Sequence, residues 1–315
     1  MQTQPNSATL IAFNDKSHVL SRFGVMVYAL IAYTTGAGAL FWLFFAAGGF
    51  APYGLSAYKA DGVSTAIAVN IALVFLFGLQ HSVMARKTFK QWVVRYIPAH
   101  LERATFVLMS GVTMLTLIWF WQPLPGNVWT VDGALARTGI LAIYFAGIAY
   151  ALLSSLITNH FELFGLRQAW LHLVGWPYTA LEFKRVWFYS YSRHPMMLGL
   201  LMVFWATPDM SLSRFCLAEL LSVYLFAGIL FEESCLIREF GDRYRNYKKE
   251  VGLFFTFRIL FTLLRGRRHP LESSYVPAKI GKQRGRVVGW TSRKKKVDPT
   301  TSATADAVNS VPTGR

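Results

Sequence analysis

The sequence predicts an all-α fold, a polytopic membrane helical bundle of about six apolar segments. Composition points there first. Of 315 residues, 54% are hydrophobic, 16% aromatic and only 15% charged, with a mean hydropathy of +0.35. A soluble domain usually carries about 25% charged residues. The second observation is grouping: the apolar residues gather in runs, most of about 18 or more, long enough to cross a bilayer. The third is where the charges fall, in the connections between runs and toward the C-terminus.

Taken in order, residues 1–22 form a polar N-terminal segment. It lacks the basic start and short apolar run of a cleaved leader, so the first span is expected to act as the targeting signal. Apolar segments follow at 23–47, 63–83, 104–121, 137–158, 195–207 and 212–231. The fifth offers about 13 residues before Pro208, short for an upright span. With the sixth it reads as a tight hairpin turned by TPDMS at 207–211, followed by a cytosolic amphipathic helix. Basic residues concentrate in the second-to-third connection (Arg86, Lys87, Lys90, Arg95) and the fourth-to-fifth (Arg167, Lys184, Arg185, Arg193). By the positive-inside rule both termini are cytosolic and QPLPGNVWTVDG at 122–133 is external.

Net charge is +16, and residues 258–315 account for most of it, with thirteen Lys and Arg against Glu272, Asp298 and Asp306. RGRRH at 265–269, RKKK at 293–296 and the small-residue end that follows predict a disordered tail. Its expected partner is lipid, the anionic inner leaflet, at about 1 kcal/mol per basic residue near the surface. Aromatic platforms and a folded basic face are lacking, so no nucleic-acid partner is expected. Cys216 and Cys235 read as two unpaired thiols. Oligomeric state leaves no mark in the sequence.

Two stretches carry chemistry. YSYSRHPMMLG at 189–199 places Arg193, His194 and Pro195 where a polar stretch becomes apolar. Proline suits the first helical position and pushes His194 outside the helix. The helix start, with Arg193 beside it, suits an anion such as a carboxylate; a lipid-headgroup anchor is the plainer reading. FEESCLIREFGDRYRNYKKEV at 231–251 puts Glu232, Leu236, Phe240, Tyr244 and Tyr247 on one helical face, with Glu233 one position off and also able to reach inward. A carboxylate there needs a cationic or hydrogen-bonding partner, unless this is simply an interfacial helix with solvated acids near its start.

RHPxxxG opening an apolar hairpin, followed by EExxLxxxFGxxYxxY, resembles the isoprenylcysteine carboxyl methyltransferase-like superfamily of membrane methyltransferases. That resemblance implies a methyltransferase domain over 23–257 whose cofactor half, about 189–250, holds S-adenosyl-L-methionine at the cytosolic membrane face. Arg193, His194, Pro195, Leu198, Gly199, Glu232, Glu233 and Tyr244 would line the cofactor site, with His194, Glu232 and Glu233 as catalytic candidates. Met197 stands where that superfamily commonly has an aromatic residue. QHSVMARKTFKQW at 80–92, PAHLERATFVL at 98–108, TNHFELFGLRQAW at 158–170 and MMLGLLMVFWATPDMS at 196–211 narrow the resemblance to the methanethiol S-methyltransferases, in the branch shared with nurim-type proteins. This implies methyl transfer from S-adenosylmethionine to methanethiol, giving dimethyl sulfide. The alternatives are another thiol or an isoprenylcysteine carboxylate as acceptor, or a non-enzymatic nurim-like scaffold.

Displacement at a sulfonium methyl group needs alignment and no metal, but an alkyl thiol must lose its proton, since the thiolate is the nucleophile. Candidate bases are His81, His160 and His194, partnered by Glu232 or Glu233. His81, Asn159 and His160 are the substrate-side candidates, His81 and His160 closing the second and fourth segments at the same depth; each histidine could equally cap a helix end. Paired histidines also raise haem, but bis-histidine haem in a bundle wants imidazoles projecting from within facing helices, whereas these stand in charged clusters. Metal-ligand spacings of the HxxxH or CxxC kind are lacking.

Overall fold

The computed structural model describes residues 19–179 and 187–255. The basic tail at 258–315, the N-terminal segment as far as residue 18, and Lys184 and Arg185 lie outside the described residues. Every described residue belongs to one compact unit, Met1–His269. Along the chain come α1 (Val19–Gly48), α2 (Gly62–Ala85), α3 (Lys87–Val93), α4 (Ala99–Phe120), β1 (Asn127–Thr130) and α5 (Ala134–Ile157). Then follow α6 (His160–Leu163), α7 (Leu166–Val174), a tight turn at Trp187–Ser190, α8 (Pro195–Trp205), β2 (Asp209–Ser211), α9 (Leu212–Phe240) and α10 (Asp242–Glu250).

Helices α1, α2, α4, α5 and α9 are each long and apolar enough to cross a membrane. Many large apolar side chains point outward, Phe75, Leu79, Leu153 and Leu230 among them, as a bundle solvated by lipid tails requires. Helix contact then rests on close approach rather than on hydrophobic exclusion. Gly36 and Gly111 let α1 and α4 touch, since a Cβ on Gly111 would stand 2.8 Å from the Gly36 Cα. Gly147 and Gly199 do the same for α5 and α8: a Cβ on Gly199 would stand 2.7 Å from the Ala151 nitrogen and the Gly147 oxygen. The core gathers Leu43, Phe44, Leu117, Tyr144, Val203, Phe204 and Leu221.

Two expectations need correction. TPDMS is not a tight turn. Helix α8 has 11 residues, a rise of about 16 Å or half a bilayer, so the chain must travel on in extended form. Buried extended backbone needs partners, and the 122–133 loop supplies them. Strands β1 and β2 pair antiparallel, Thr130 opposite Asp209 and Trp129 opposite Met210. The Val131 N–H donates to the Pro208 carbonyl at 3.0 Å, and Trp129 Nε1 donates to the Thr207 carbonyl at 3.0 Å.

The second correction concerns the last helices. The sixth segment does not stop at 231; α9 runs on to Phe240 and the chain turns at Gly241 (φ 56°, ψ −129°), a conformation L side chains rarely adopt. Helix α10 then folds back, packing Tyr244, Tyr247 and Val251 against Leu236, Ile237 and Phe240. The single helical face expected from Glu232 to Tyr247 is therefore broken in the middle.

Candidate active site

Helix α8 lies antiparallel to α9, with Trp205 Nε1 donating to Ser222 Oγ at 2.9 Å. That pairing brings the start of α8 to the 232–233 region of α9. Pro195 is the first helical residue and His194 the N-cap, at φ −128°. The preceding backbone is tied to the chain beyond α10: Arg193 N–H donates to the Gly252 carbonyl at 3.1 Å and His194 N–H to that of Leu253 at 3.2 Å. Ser192 Oγ adds a bond to the Leu253 carbonyl at 3.1 Å.

Glu233 is the centre of the site. Its carboxylate, 5% exposed, accepts from Arg193 Nε at 2.7 Å and from Lys248 Nζ at 2.5 Å. His194 Nε2 stands 3.2 Å from the same carboxylate, with the imidazole 4% exposed. A buried carboxylate in lipid surroundings is tolerable only with such partners. Glu232 differs: it is 49% exposed and meets His194 Nδ1 at 3.6 Å, beyond hydrogen-bond length. Of the two candidate acids, the buried one is thus Glu233, which the helical period placed one position off the shared face. Tyr244 is buried against Tyr247. Burial, and then the nearby Glu233 charge, pushes its hydroxyl up to about 12.

Arg193 does not wait for an external anion. Its Nη1 donates to the Val251 carbonyl at 2.7 Å and the Lys248 carbonyl at 3.2 Å, closing the C-terminal end of α10. The expected carboxylate site at the start of α8 is therefore filled from within by Glu233. Gly199 faces the α5 backbone and is a packing residue rather than a lining one, because a side chain there would hit Ala151. Leu198 is half-buried, and Pro195 is buried at the helix start.

The substrate-side candidates separate as well. Asn159, at φ 81°, caps α6 by accepting from the Glu162 N–H at 3.1 Å. His160 has both ring nitrogens engaged, Nδ1 with Ser155 Oγ at 2.9 Å and Nε2 with the Tyr33 hydroxyl at 3.1 Å. Burial lowers its pKa below the ordinary 6.5. These two hold the α5–α6 corner together. His81 is different. Ser110 Oγ donates to the Phe106 carbonyl at 2.8 Å, so its lone pair receives Nδ1–H of His81 at 3.1 Å. That assignment leaves Nε2 as a lone-pair acceptor with no bonded partner among the described residues. Phe77, Phe106 and Tyr224 surround the ring at centroid distances of 5.5, 4.9 and 6.4 Å. Tyr224 precedes Glu233 by nine positions on α9, about 13 Å of rise.

Lys248 and Tyr189 were missed from sequence. Lys248 follows Glu233 by fifteen residues and reaches it only because the chain turns at Gly241. Tyr189, on the Trp187–Ser190 turn, accepts from the Tyr247 hydroxyl through its carbonyl at 2.7 Å and lies in the field of Glu232; burial pushes its hydroxyl up to about 12. No periodicity marks either.

Bilayer-length helices and a buried carboxylate drawing cations from the segment before α8 and from α10 define an integral membrane protein with a polar site at one end of its bundle. Comparison with known proteins narrows that class. The chain is 35% identical to the methanethiol S-methyltransferase of Crocosphaera subtropica over 239 residues, 76% of this chain and 94% of that one. It is 41% identical to the methanethiol S-methyltransferase of Mycobacterium tuberculosis over 194 residues, 62% of this chain and 80% of that one. Nurim of Sus scrofa is 30% identical over 179 residues, 54% of this chain and 68% of the relative. No protein-family model and no solved structure matches the chain. The chain belongs to the methanethiol S-methyltransferase family, in its nurim-like branch, and is a membrane methyltransferase.

Proposed function

We propose that this enzyme uses S-adenosylmethionine to convert methanethiol to dimethyl sulfide at the cytosolic membrane face, with both termini on that side. The observation that carries the reading is the meeting of His194 with Glu233 at 3.2 Å and with Glu232 at 3.6 Å, from stretches far apart in the chain. The names of the relatives point to the acceptor, and the basic connections support the orientation.

The donor set suits a cationic, zwitterionic cofactor. Glu232 keeps carboxylate oxygens free for an ammonium or sulfonium group, while Glu233 is saturated by Arg193, Lys248 and His194 and holds His194 in place. His194, Glu232 and Tyr244 would hold the cofactor, with Arg193 fixing Glu233 and the end of α10 beside them. When bound, S-adenosylmethionine supplies an electrophilic methyl group on a positively charged sulfur. The protein's own work is to orient the thiol, exclude water and take its proton. His81 suits the proton transfer. Ser110 sets its tautomer, Nε2 accepts the thiol proton, and the rings of Phe77, Phe106 and Tyr224 enclose a small apolar acceptor. General bases of this kind contribute about 10²–10⁴ in rate.

The test is headspace detection of dimethyl sulfide from the purified full chain with S-adenosylmethionine and methanethiol, beside a prenyl-cysteine acceptor. Dimethyl sulfide alone is expected, and His81→Ala should lower its rate by about 10²–10⁴ with the melting temperature kept. A folded protein that saturates with S-adenosylmethionine yet releases no volatile product would overturn the reading, and methylation of the prenyl acceptor instead would move it to the carboxyl methyltransferases.

A further inference from the structure

A second polar concavity lies between residues 90 and 178, among α3, α4, α6 and α7. It is a cleft of about 300 Å³ whose lining includes Lys90, Glu102, Arg103, Glu162, Gln168 and Tyr178. That size is at the lower end for small-molecule sites. Neither the Glu233 cluster nor the His81 cage contributes a lining residue.

Its hydrogen bonding is unevenly satisfied. Glu162 is saturated, taking Arg167 Nη1 at 2.7 Å, Tyr178 Oη at 2.6 Å and Gln168 Nε2 at 2.8 Å. The cations are not. Arg103 spends only Nε, on the Leu163 carbonyl at 2.7 Å, and lays its guanidinium over the Phe106 ring at 4.9 Å. Among the described residues neither Nη1 nor Nη2 of Arg103 has an acceptor. Lys90 Nζ approaches Glu102 no closer than 3.7 Å, an ion pair without a hydrogen bond. Burial pulls the Lys90 pKa below its ordinary value, as expected for a desolvated ammonium short of partners. On the acceptor side Gln168 Oε1 is buried with no partner. The amide cannot simply be flipped, because Nε2 is needed to donate to Glu162.

Unused donors on Lys90 and Arg103 ask for an oxyanion, and the orphan acceptor on Gln168 asks for a hydrogen-bond donor on or beside it. A phosphate meets both demands when it carries a proton or a hydroxylated head. Position favours the same chemistry. Lys90 sits on α3, where the rings of Trp92 and, just beyond the helix, Tyr96 are exposed and meet at a tilt with centroids 5.2 Å apart. Exposed Trp and Tyr at the ends of bilayer-length helices mark headgroup depth, where phosphates are concentrated.

We propose that this cleft is a phosphate-binding site, its ligand drawn either from a phospholipid headgroup or from a small soluble phosphate, with Lys90 and Arg103 as the anion-binding residues and Gln168 as the acceptor. The experiment titrates detergent-purified full chain with dioctanoyl phosphatidylglycerol in one arm and inorganic phosphate in the other. Wild type should bind at least one probe saturably, and Lys90→Gln and Arg103→Gln should each raise Kd about tenfold or more. Lys59→Gln, on the α1–α2 connection, should leave it unchanged. Arg103 also braces α6 through the Leu163 carbonyl, so Arg103→Gln can fail to fold. Lys90→Gln removes no backbone bond and then decides. Lipid binding lost in the variants assigns a headgroup site; phosphate binding lost in them assigns a soluble ligand. Failure of both probes to saturate wild type, or equal binding by wild type and Lys90→Gln, overturns the proposal.

Discussion

The two ends of α9 hold carboxylates in opposite ways. Before its first turn, Asp209 receives a two-pronged grip from Arg137 at 2.9 and 2.7 Å, yet the side chains are 37% and 46% exposed. Near its last turns, Glu233 is buried under Arg193, His194 and Lys248. Geometry is good in both, so the difference is solvent. An exposed pair trades protein contacts for water at little net gain. A buried carboxylate has no water to fall back on and depends on every partner. The Asp209 end is a fastening that the fold could lose, whereas the Glu233 end makes α8, α9 and α10 mutually dependent.

The sharpest way to break this contrast is Glu233→Ala. It leaves Arg193 buried without a counter-charge and His194 without its carboxylate partner, and thermal unfolding in detergent should register a loss of about 3–5 kcal/mol. A variant as stable as wild type would show that the cluster is wetter than its burial implies. Next in size is Glu232→Gln, one residue away. It should leave the melting temperature in place while weakening S-adenosylmethionine binding by about 1.5–3 kcal/mol, the range for a hydrogen bond to a charged group, read by calorimetric titration. Equal damage from both glutamates would erase the division between a structural and a binding carboxylate.

A smaller effect comes from His160, also at the Glu233 end. Its pKa is lowered by burial from 6.5, so below pH 6.5 the unfolded chain takes up a proton that the folded one refuses. Stability contributed by the neutral imidazole is complete above that pH and declines as pH falls beneath it. His160→Asn should flatten the drop in melting temperature between pH 7 and 5. Smallest of all is Asp209→Asn. The Arg137 hydrogen bond holds the Asp209 carboxyl below its usual range, but on an exposed side chain added salt should erase the difference between variant and wild type.

Much of this was legible in advance, and the places where it was not share a cause. The long helices follow from run length, and apart from α9, which runs nine residues past the expected 231, their ends fall within about five residues of the expected ones. Arg193–His194–Pro195 and Glu232–Glu233 stood out because charged groups beside bilayer-length apolar runs are costly. The period of 3.6 left both acids as candidates, and it carried the shared face on to Tyr247 because it assumes one straight helix past Gly241. TPDMS read as a turn because Pro and Asp favour turns; no local signal says that 127–130 lies beside it. His160 and His81 looked equivalent, each closing a span. They diverge through Tyr33 and the nearby Ser155 on one side and Ser110 on the other, and Tyr33 and Ser110 stand on helices distant in sequence from the histidines they meet.

What the amino-acid sequence decided by itself is the membrane-spanning character of the protein, the placement of its apolar runs, and the two polar stretches, because bilayer thickness and apolar run length are local quantities. What tertiary structure alone decided is which carboxylate is buried, which histidine keeps a free nitrogen, and that Lys248 belongs to the site. Those depend on which groups remain near one another once water is gone, and desolvation energy is a property of the packed neighbourhood rather than of any stretch of chain.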